Sequence, residues 1–395
     1  MRTATAHSVE RDTSQAIRST YAAVVEALGG APEWLFVQST VAHAAEDLRR
    51  ALAGTGARAV HGSSSCGTVM TDAGLHPGGL ALFGVGDPGG AYGVGAAELG
   101  AEPREAAGRA VLAAMDDAGR PGEVPMLVWM TAAPGHEEAC IAGIEAILGP
   151  DVPIVGGSAA DDTIAGGWYQ LTRTEAHAGG VVVSALYPSG RVASSFQSGY
   201  TPTPIGGRVT RARERTILEI DGAPAASVYD QWTGGAIAGA LAGGNVLADS
   251  TLYPLGRRVG GIGEVAYYRL AHPAVVSQEG ALELFARFES GDELVLMQGT
   301  HEALVTRAGR VAADALELAG VGPQAVAGAL VVLCAGCMLA VRERLAEVVA
   351  GVRAVLGAAP FVVCSTFGEQ GCFAGGENRH ANLMISVTVL VHSQE

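Results

Sequence analysis

The sequence predicts an α/β protein in which one helix–strand–helix–strand–turn–strand unit occurs three times. Such units build parallel and mixed sheets covered by helices, and a β-rich insert precedes the last one. Three observations predict this. Short apolar runs bounded by Gly and Pro recur at matching points of three stretches, as buried strands do. The runs of each stretch flank a segment of helical apolar spacing, the arrangement of a right-handed parallel crossover. Each second run then ends in a serine-bearing turn, and a histidine announces a further strand.

Taken in order, the first unit opens with a helix over roughly 8–28. Trp34-Leu35-Phe36-Val37-Gln38 then reads as a strand, 44–52 as a helix, and Arg58-Ala59-Val60-His61-Gly62-Ser63-Ser64-Ser65 as the second strand. The second unit has a helix over 104–118, the strand Met126–Met130, a helix over 137–148 and Pro153-Ile154-Val155-Gly156-Gly157-Ser158. The third has a helix over 303–318, the strand Ala329–Leu333, a helix over 341–356 and Pro360–Ser365. Its second helix carries Val341, Leu345, Val348, Val349, Val352, Val355 and Leu356 on one face. The announcing histidines are His76, His177 and His380. Residues 190–300 hold strand-like segments such as Thr216–Ile220 and Glu293–Met297. The chain is therefore expected to divide into residues 1–215, with two units, and 216–395, with the insert and one unit.

Composition narrows the function. With 49% hydrophobic residues and 56 glycines in 395, a buried core with many tight turns is expected, and disorder is excluded. All 25 basic residues are arginine, which removes Schiff-base chemistry and any Walker A loop. The net charge of −15 argues against nucleic acid, whose binding is dominated by Lys and Arg contacts to phosphate. Arg208, Arg211, Arg213 and Arg215 are expected on a solvated strand face. No apolar leader opens the sequence, and the uncharged stretch Val321–Val341 is broken by Pro323 and glycines. It is expected to be a buried strand, a turn and a helix start, with no membrane partner and a cytoplasmic location.

Ligands of α/β sheets bind beyond the carboxyl ends of the parallel strands. The turns there are Ser64-Ser65-Cys66-Gly67-Thr68, Ser158-Ala159-Ala160-Asp161-Asp162 and Ser365-Thr366-Phe367-Gly368-Glu369. Small hydroxyls, bare amides and an acid suit a polar small molecule. Ser64, Ser65, Ser158, Asp161, Ser365, Thr366 and Glu369 are the expected ligand-binding residues, in a pocket between the two parts of the chain. The alternatives are turns that merely pack together, and an enzyme using the turn Ser, His and carboxylate groups or the C-terminal thiols. Cys334-Ala335-Gly336-Cys337, Cys364 and Cys372 form a weak metal-binding pattern. His136-Glu137-Glu138 and His301-Glu302 each fail the H-E-x-x-H motif, and no G-x-S-x-G elbow occurs.

Three segments carry a family resemblance: Gly62–Thr68, Glu219-Ile220-Asp221-Gly222-Ala223-Pro224-Ala225 with Tyr229, and Phe361–Gly371 closing on His380. They resemble the FIST N-terminal and C-terminal domains over about residues 30–392, with Thr68 where the family turn has Glu. The resemblance implies a sensory protein that binds a small, amino-acid-like ligand. Its state would be read by a separate histidine kinase or cyclic-dinucleotide enzyme. One branch of the family binds haem and senses nitric oxide. For that branch the resemblance implies haem b, with His380 as the iron ligand at a strand start and Phe367 beside the macrocycle.

Overall fold

The computed structural model describes residues 1–262, 265–373 and 375–392. The first unit runs β1 (Arg2–Ser8), α1 (Thr13–Leu28), β2 (Trp34–Thr40), α2 (Ala45–Ala53) and β3 (Ala59–Ser65). A hairpin of β4 (Thr68–Thr71) and β5 (Gly74–Pro77) follows, then β6 (Leu80–Gly86). The second unit repeats this as β7 (Ala91–Glu98), α3 (Pro103–Asp117), β8 (Leu127–Ala132), α4 (Glu137–Leu148) and β9 (Ile154–Gly157). Its hairpin is β10 (Gln170–Leu171) and β11 (Ala176–His177), and β12 (Gly180–Tyr187) closes it. The third unit begins with β13 (Arg191–Ser198) and is interrupted by the insert.

The insert contains β14 (Thr201–Arg213), β15 (Thr216–Ile220), β16 (Ala223–Pro224), α5 (Ala225–Trp232), β17 (Gly244–Asn245) and α6 (Leu247–Ser250). It continues through β18 (Leu255–Ile262), β19 (Val265–Ala271), β20 (Pro273–Val276), β21 (Leu282–Leu284) and β22 (Glu293–Gln298). The unit then resumes with α7 (His301–Ala319), β23 (Val326–Cys334), α8 (Ala335–Ala340), α9 (Leu345–Leu356) and β24 (Phe361–Thr366). Its hairpin is β25 (Glu369–Phe373) and β26 (Glu377–Ala381), and β27 (Met384–Val391) ends the fold.

Each unit builds a sheet of the same order, but none completes its own. The sheets read β1-β6-β2-β3-β10-β11, β7-β12-β8-β9-β25-β26 and β13-β27-β23-β24-β4-β5. The central pairs β2–β3, β8–β9 and β23–β24 are parallel, as the crossover helices require. The hairpins are exchanged in a circle: unit one's pairs with β24, unit two's with β3, and unit three's with β9. Across the expected boundary at 215, β13 pairs with β27 in the third sheet.

The inner faces of the three sheets meet in a shared core containing Trp34, Phe36, Trp129, Val155, Leu330, Val332 and Cys364. Within it, His61 bridges Ser184 (2.8 Å) and Thr131 (2.9 Å) through its two ring nitrogens. Helices cover the outer faces, α1 and α2 on the first sheet, α3 and α4 on the second, α7 and α9 on the third. Caps fix their ends: the Asp12 carboxylate accepts from Gln15 N–H, Thr300 accepts from Ala303 N–H, and Gly29 and Gly320 close in the left-handed region. The α3–α4 crossing needs glycine at 143, where a Cβ would stand 2.0 Å from the Arg104 carbonyl oxygen.

The stretch Val321–Val341 forms the buried strand β23, as expected, followed by the whole of the short helix α8, and no described helix is long and apolar enough to cross a membrane. His380 departs from expectation. It lies near the end of β26, opposite Gln370 of β25, because residues 377–381 fold back as the outer hairpin strand instead of opening the last strand. Arg208, Arg211 and Arg213 are exposed. Arg215 is drawn inward by two glutamates.

Candidate functional site

Strand carboxyl ends β3, β9 and β24 bring the three serine turns into direct contact. Cys66 N–H donates to Ser365 O (3.0 Å), Phe367 N–H to Ser158 O (3.3 Å), and Ala160 N–H to Ser64 O (3.1 Å). Each bond runs from the residue two beyond one aligned serine to the next serine's carbonyl, so the turns form a closed ring. The serine hydroxyls serve this ring. Ser65 Oγ accepts from Ser365 N–H (3.0 Å), Ser64 Oγ accepts from Tyr169 N–H (2.9 Å), and Ser158 Oγ donates to Glu137 (2.7 Å). All four serines are buried.

Beside the ring lies a cavity of about 460 Å³, a size that suits a small organic molecule. Its mouth is formed by the exposed Asp162, Thr163 and Ile164 on one side and Leu339 on the other. Cys66, Asp161, His272, Cys334 and Asn382 form its buried floor, and Leu247, Leu252, Phe285 and Phe367 its apolar walls. Of the expected residues, Asp161 and Phe367 line the cavity. Ser64, Ser65, Ser158, Ser365, Thr366, Glu369 and His380 do not.

Asp161 closes its own loop, accepting from the N–H groups of Thr163, Ile164, Ala165 and Gly167. Burial pushes its carboxyl up, but these four donors outweigh it and hold the group below its ordinary value. Asp162 reaches across to accept from Gly67 N–H (2.6 Å), tying the second turn to the first. On the floor, His272 Nε2 donates to Leu247 O (2.9 Å), which leaves Nδ1 as an acceptor. Burial lowers its pKa to about 4, so the ring is neutral at pH 7. The Asn382 amide nitrogen is buried and finds no partner in the described protein.

A second cluster joins the ring to the insert. Arg215 donates to both Glu137 and Glu138, and Arg287 N–H donates to Glu138 (3.0 Å). Burial raises the Glu137 carboxyl, but the neighbouring His380 ring, Arg215 and Ser158 bring it down to about 2. Glu137, Glu138 and His380 place three potential ligand atoms within 4.8 Å of one another. The Arg215 guanidinium already bridges both carboxylates, standing where a cation would.

His380 does not fit an axial haem ligand. Gln370 Nε2 donates to its Nδ1 (3.2 Å), its Nε2 donates to Phe285 O (3.0 Å), and the residue is 2% exposed. A Cβ at Gly368 would come 2.4 Å from its Cε1, so neither a free nitrogen nor space for a macrocycle exists there. The four C-terminal cysteines are not gathered either. Cys364 packs into the central core while Cys334 and Cys337 belong to the core under α7, and they form no group of three ligands among the described residues.

The FIST N domain matches residues 34–223 and the FIST C domain residues 225–372. The chain belongs to the FIST family. FIST domains are small-ligand-sensing domains of signal transduction. No curated protein matches the sequence. Among solved structures, a cyanuric acid hydrolase from A. caulinodans aligns over 100% of this chain and 99% of its own, at 10% identity and a TM-score of 0.41. In FIST terms the cavity is a joint structure. Cys66 and residues 161–164 come from the FIST N segment, while 247–252, His272, Phe285, 334–340 and Phe367 come from the FIST C segment.

The sequence reading missed Glu137, Arg215, His272 and Asn382. Glu137 was visible only as part of a failed zinc motif, and Arg215 only as one of four alternating arginines. Both are silent until the fold pairs residues 78 positions apart.

Proposed function

We propose that this FIST protein is a sensor whose ligand occupies the cavity beside the serine ring. The observation that carries the reading is the shared wall: a molecule there touches both family segments at once. The chemistry favours an apolar body with a carbonyl-type acceptor for Asn382 and a donor for His272 Nδ1. Asp161 and Asp162 at floor and mouth, with a net charge of −15, favour uncharged or ammonium-bearing molecules over anions. An amino-acid-like ligand whose carboxylate is masked meets these conditions. Occupancy would be reported by the arrangement of the 161–167 loop and α8 to a separate partner, of the kinase or cyclic-dinucleotide class, in the cytoplasm. The Ser/His/carboxylate enzyme finds less support, because no turn serine reaches the cavity.

Native mass spectrometry of the purified chain tests this directly. An adduct released on denaturation is expected, and Ala340→Trp, which places an indole at the half-buried cavity wall, should abolish it while leaving the thermal melt within a few degrees. An adduct retained undiminished by Ala340→Trp would place the ligand elsewhere.

A further inference from the structure

One cluster is left unused by ligand binding. Cys334 ends β23 on the cavity floor, and Cys337 lies in the first turn of α8 behind it. The two thiols stand three residues apart at the strand-to-helix turn, close enough that each shifts the other's titration. The Tyr200 hydroxyl stands 3.4 Å from the Cys337 sulfur. Arg307, fully buried, donates through Nη1 to Leu383 O (2.6 Å), while its Nε and Nη2 find no hydrogen-bond partner among the described residues. It forms no salt bridge to a carboxylate among the described residues. A buried guanidinium needs a counter-charge, and Cys337 is the foremost of the groups whose charge acts on it.

We propose that Cys334 and Cys337 are a redox-active dithiol, oxidised to a disulfide by a hydroperoxide that enters through the cavity. The i, i+3 placement at a strand-to-helix turn is the geometry in which a C-x-x-C pair closes. Cys334 faces the cavity and meets the oxidant, and Cys337 resolves it. Burial pushes the Cys337 thiol up, but Cys334, Arg307 and Tyr200 outweigh it and bring the group to about 6, so it is a thiolate at neutral pH. Cys334, by contrast, is held well above its ordinary value, first by Cys337 and then by burial.

The step balances as follows. Cys334 passes its proton to the Cys337 sulfur and attacks the terminal peroxide oxygen; an S–O bond forms and the O–O bond breaks. The departing alkoxide takes the proton back from Cys337 and leaves as alcohol. The Cys337 thiolate then attacks the Cys334 sulfenic acid, the S–S bond forms, and hydroxide leaves. Glu369 supplies the proton that makes it water. Burial holds this carboxyl well above its ordinary range while Cys337 is charged, although it accepts from Thr366 (3.1 Å) and Met384 N–H (3.0 Å). Once the thiolate is consumed, the Glu369 carboxylate takes over as counter-ion to Arg307. Two sulfurs lose one electron each, and the peroxide bond gains both.

The test uses the full native chain and limiting hydrogen peroxide, followed by denaturing alkylation. Because the protein contains no lysine, trypsin releases both thiols in one peptide, residues 311–342. The expected result is that this peptide loses two hydrogens and escapes alkylation before any other cysteine reacts. In Cys337→Ser, which removes the proton acceptor, oxidation of Cys334, read with a sulfenic-acid probe of the dimedone type, should fall by about tenfold or more. If Cys372, the half-buried thiol, is oxidised while 311–342 remains doubly alkylated, the proposal fails. It fails equally if folded Cys337→Ser oxidises Cys334 as fast as the wild type does. The wild-type map decides alone should that variant not fold. The outcome is independent of whether the cavity retains a small molecule.

Discussion

Removing the Arg215 guanidinium by Arg215→Met would leave Glu137 as a buried anion with its ion-pair partner gone. Its side chain is 2% exposed, so water does not replace the lost partner. A carboxyl held at about 2 in the fold against 4.5 in the unfolded chain is worth about 3 kcal/mol at neutral pH, a sum in which burial is outweighed by His380, Arg215 and Ser158 together. Stranding a buried charge costs about 3–5 kcal/mol by precedent, in agreement. The sign follows from the depressed value. The stabilisation is fully present above the unfolded value of 4.5 and is lost as pH falls through the folded value near 2. Urea unfolding followed by tryptophan fluorescence, with Trp34 and Trp129 buried in the central core, reads it out. The variant should lose about 3 kcal/mol at pH 7 and progressively less towards pH 3, because the wild-type Glu137 takes up its own proton there and the pairing with Arg215 no longer contributes. A loss under about 1 kcal/mol, the worth of a surface pair, would refute the reasoning. So would an equal loss at both pH values.

Two further outcomes follow from buried groups. Burial lowers the pKa of His61 to about 3 and of His272 to about 4, so both stay neutral in the fold while the unfolded chain protonates near 6.5. Stability should therefore begin to fall below about pH 6.5, above the carboxylate window, and His272→Gln should flatten that upper limb; an unchanged limb would place the titration elsewhere. Gly143→Ala sets a methyl group 2.0 Å from the Arg104 carbonyl and should force α3 from α4 at a cost of about 1–3 kcal/mol, seen as a lowered thermal midpoint. An unshifted midpoint would show that the crossing is looser than described.

The parallel strands were legible because strands buried on both faces are continuous apolar runs, as in Leu127–Met130 and Ala329–Leu333. The meeting of the serine turns was legible too, since equivalent strands of a repeated unit end on the same side. The hairpin exchange was not. Gln170–Leu171 is a two-residue strand without periodicity, and its partner β3 lies in another unit. The cavity was half visible through Asp161 and Phe367. Its other walls come from the insert, where Leu247, His272 and Phe285 sit in short irregular segments that carry no apolar pattern. His380 misled because a hairpin return and a strand start look alike in a run such as Glu377–Met384.

The circular exchange of hairpins makes the family's two segments inseparable in practice. A fragment ending at residue 223 would keep β4–β5 with nothing to dock on and leave β9 an open edge. The complementary fragment would lack both β13 and the hairpin that covers β24. Each piece would expose unpaired strand backbone, the usual seed of aggregation. The protein therefore behaves like a three-part puzzle ring, released all together or not at all. A strain introduced at any one joint is felt at the other two, so a single small molecule seated beside the knot could speak for the whole chain.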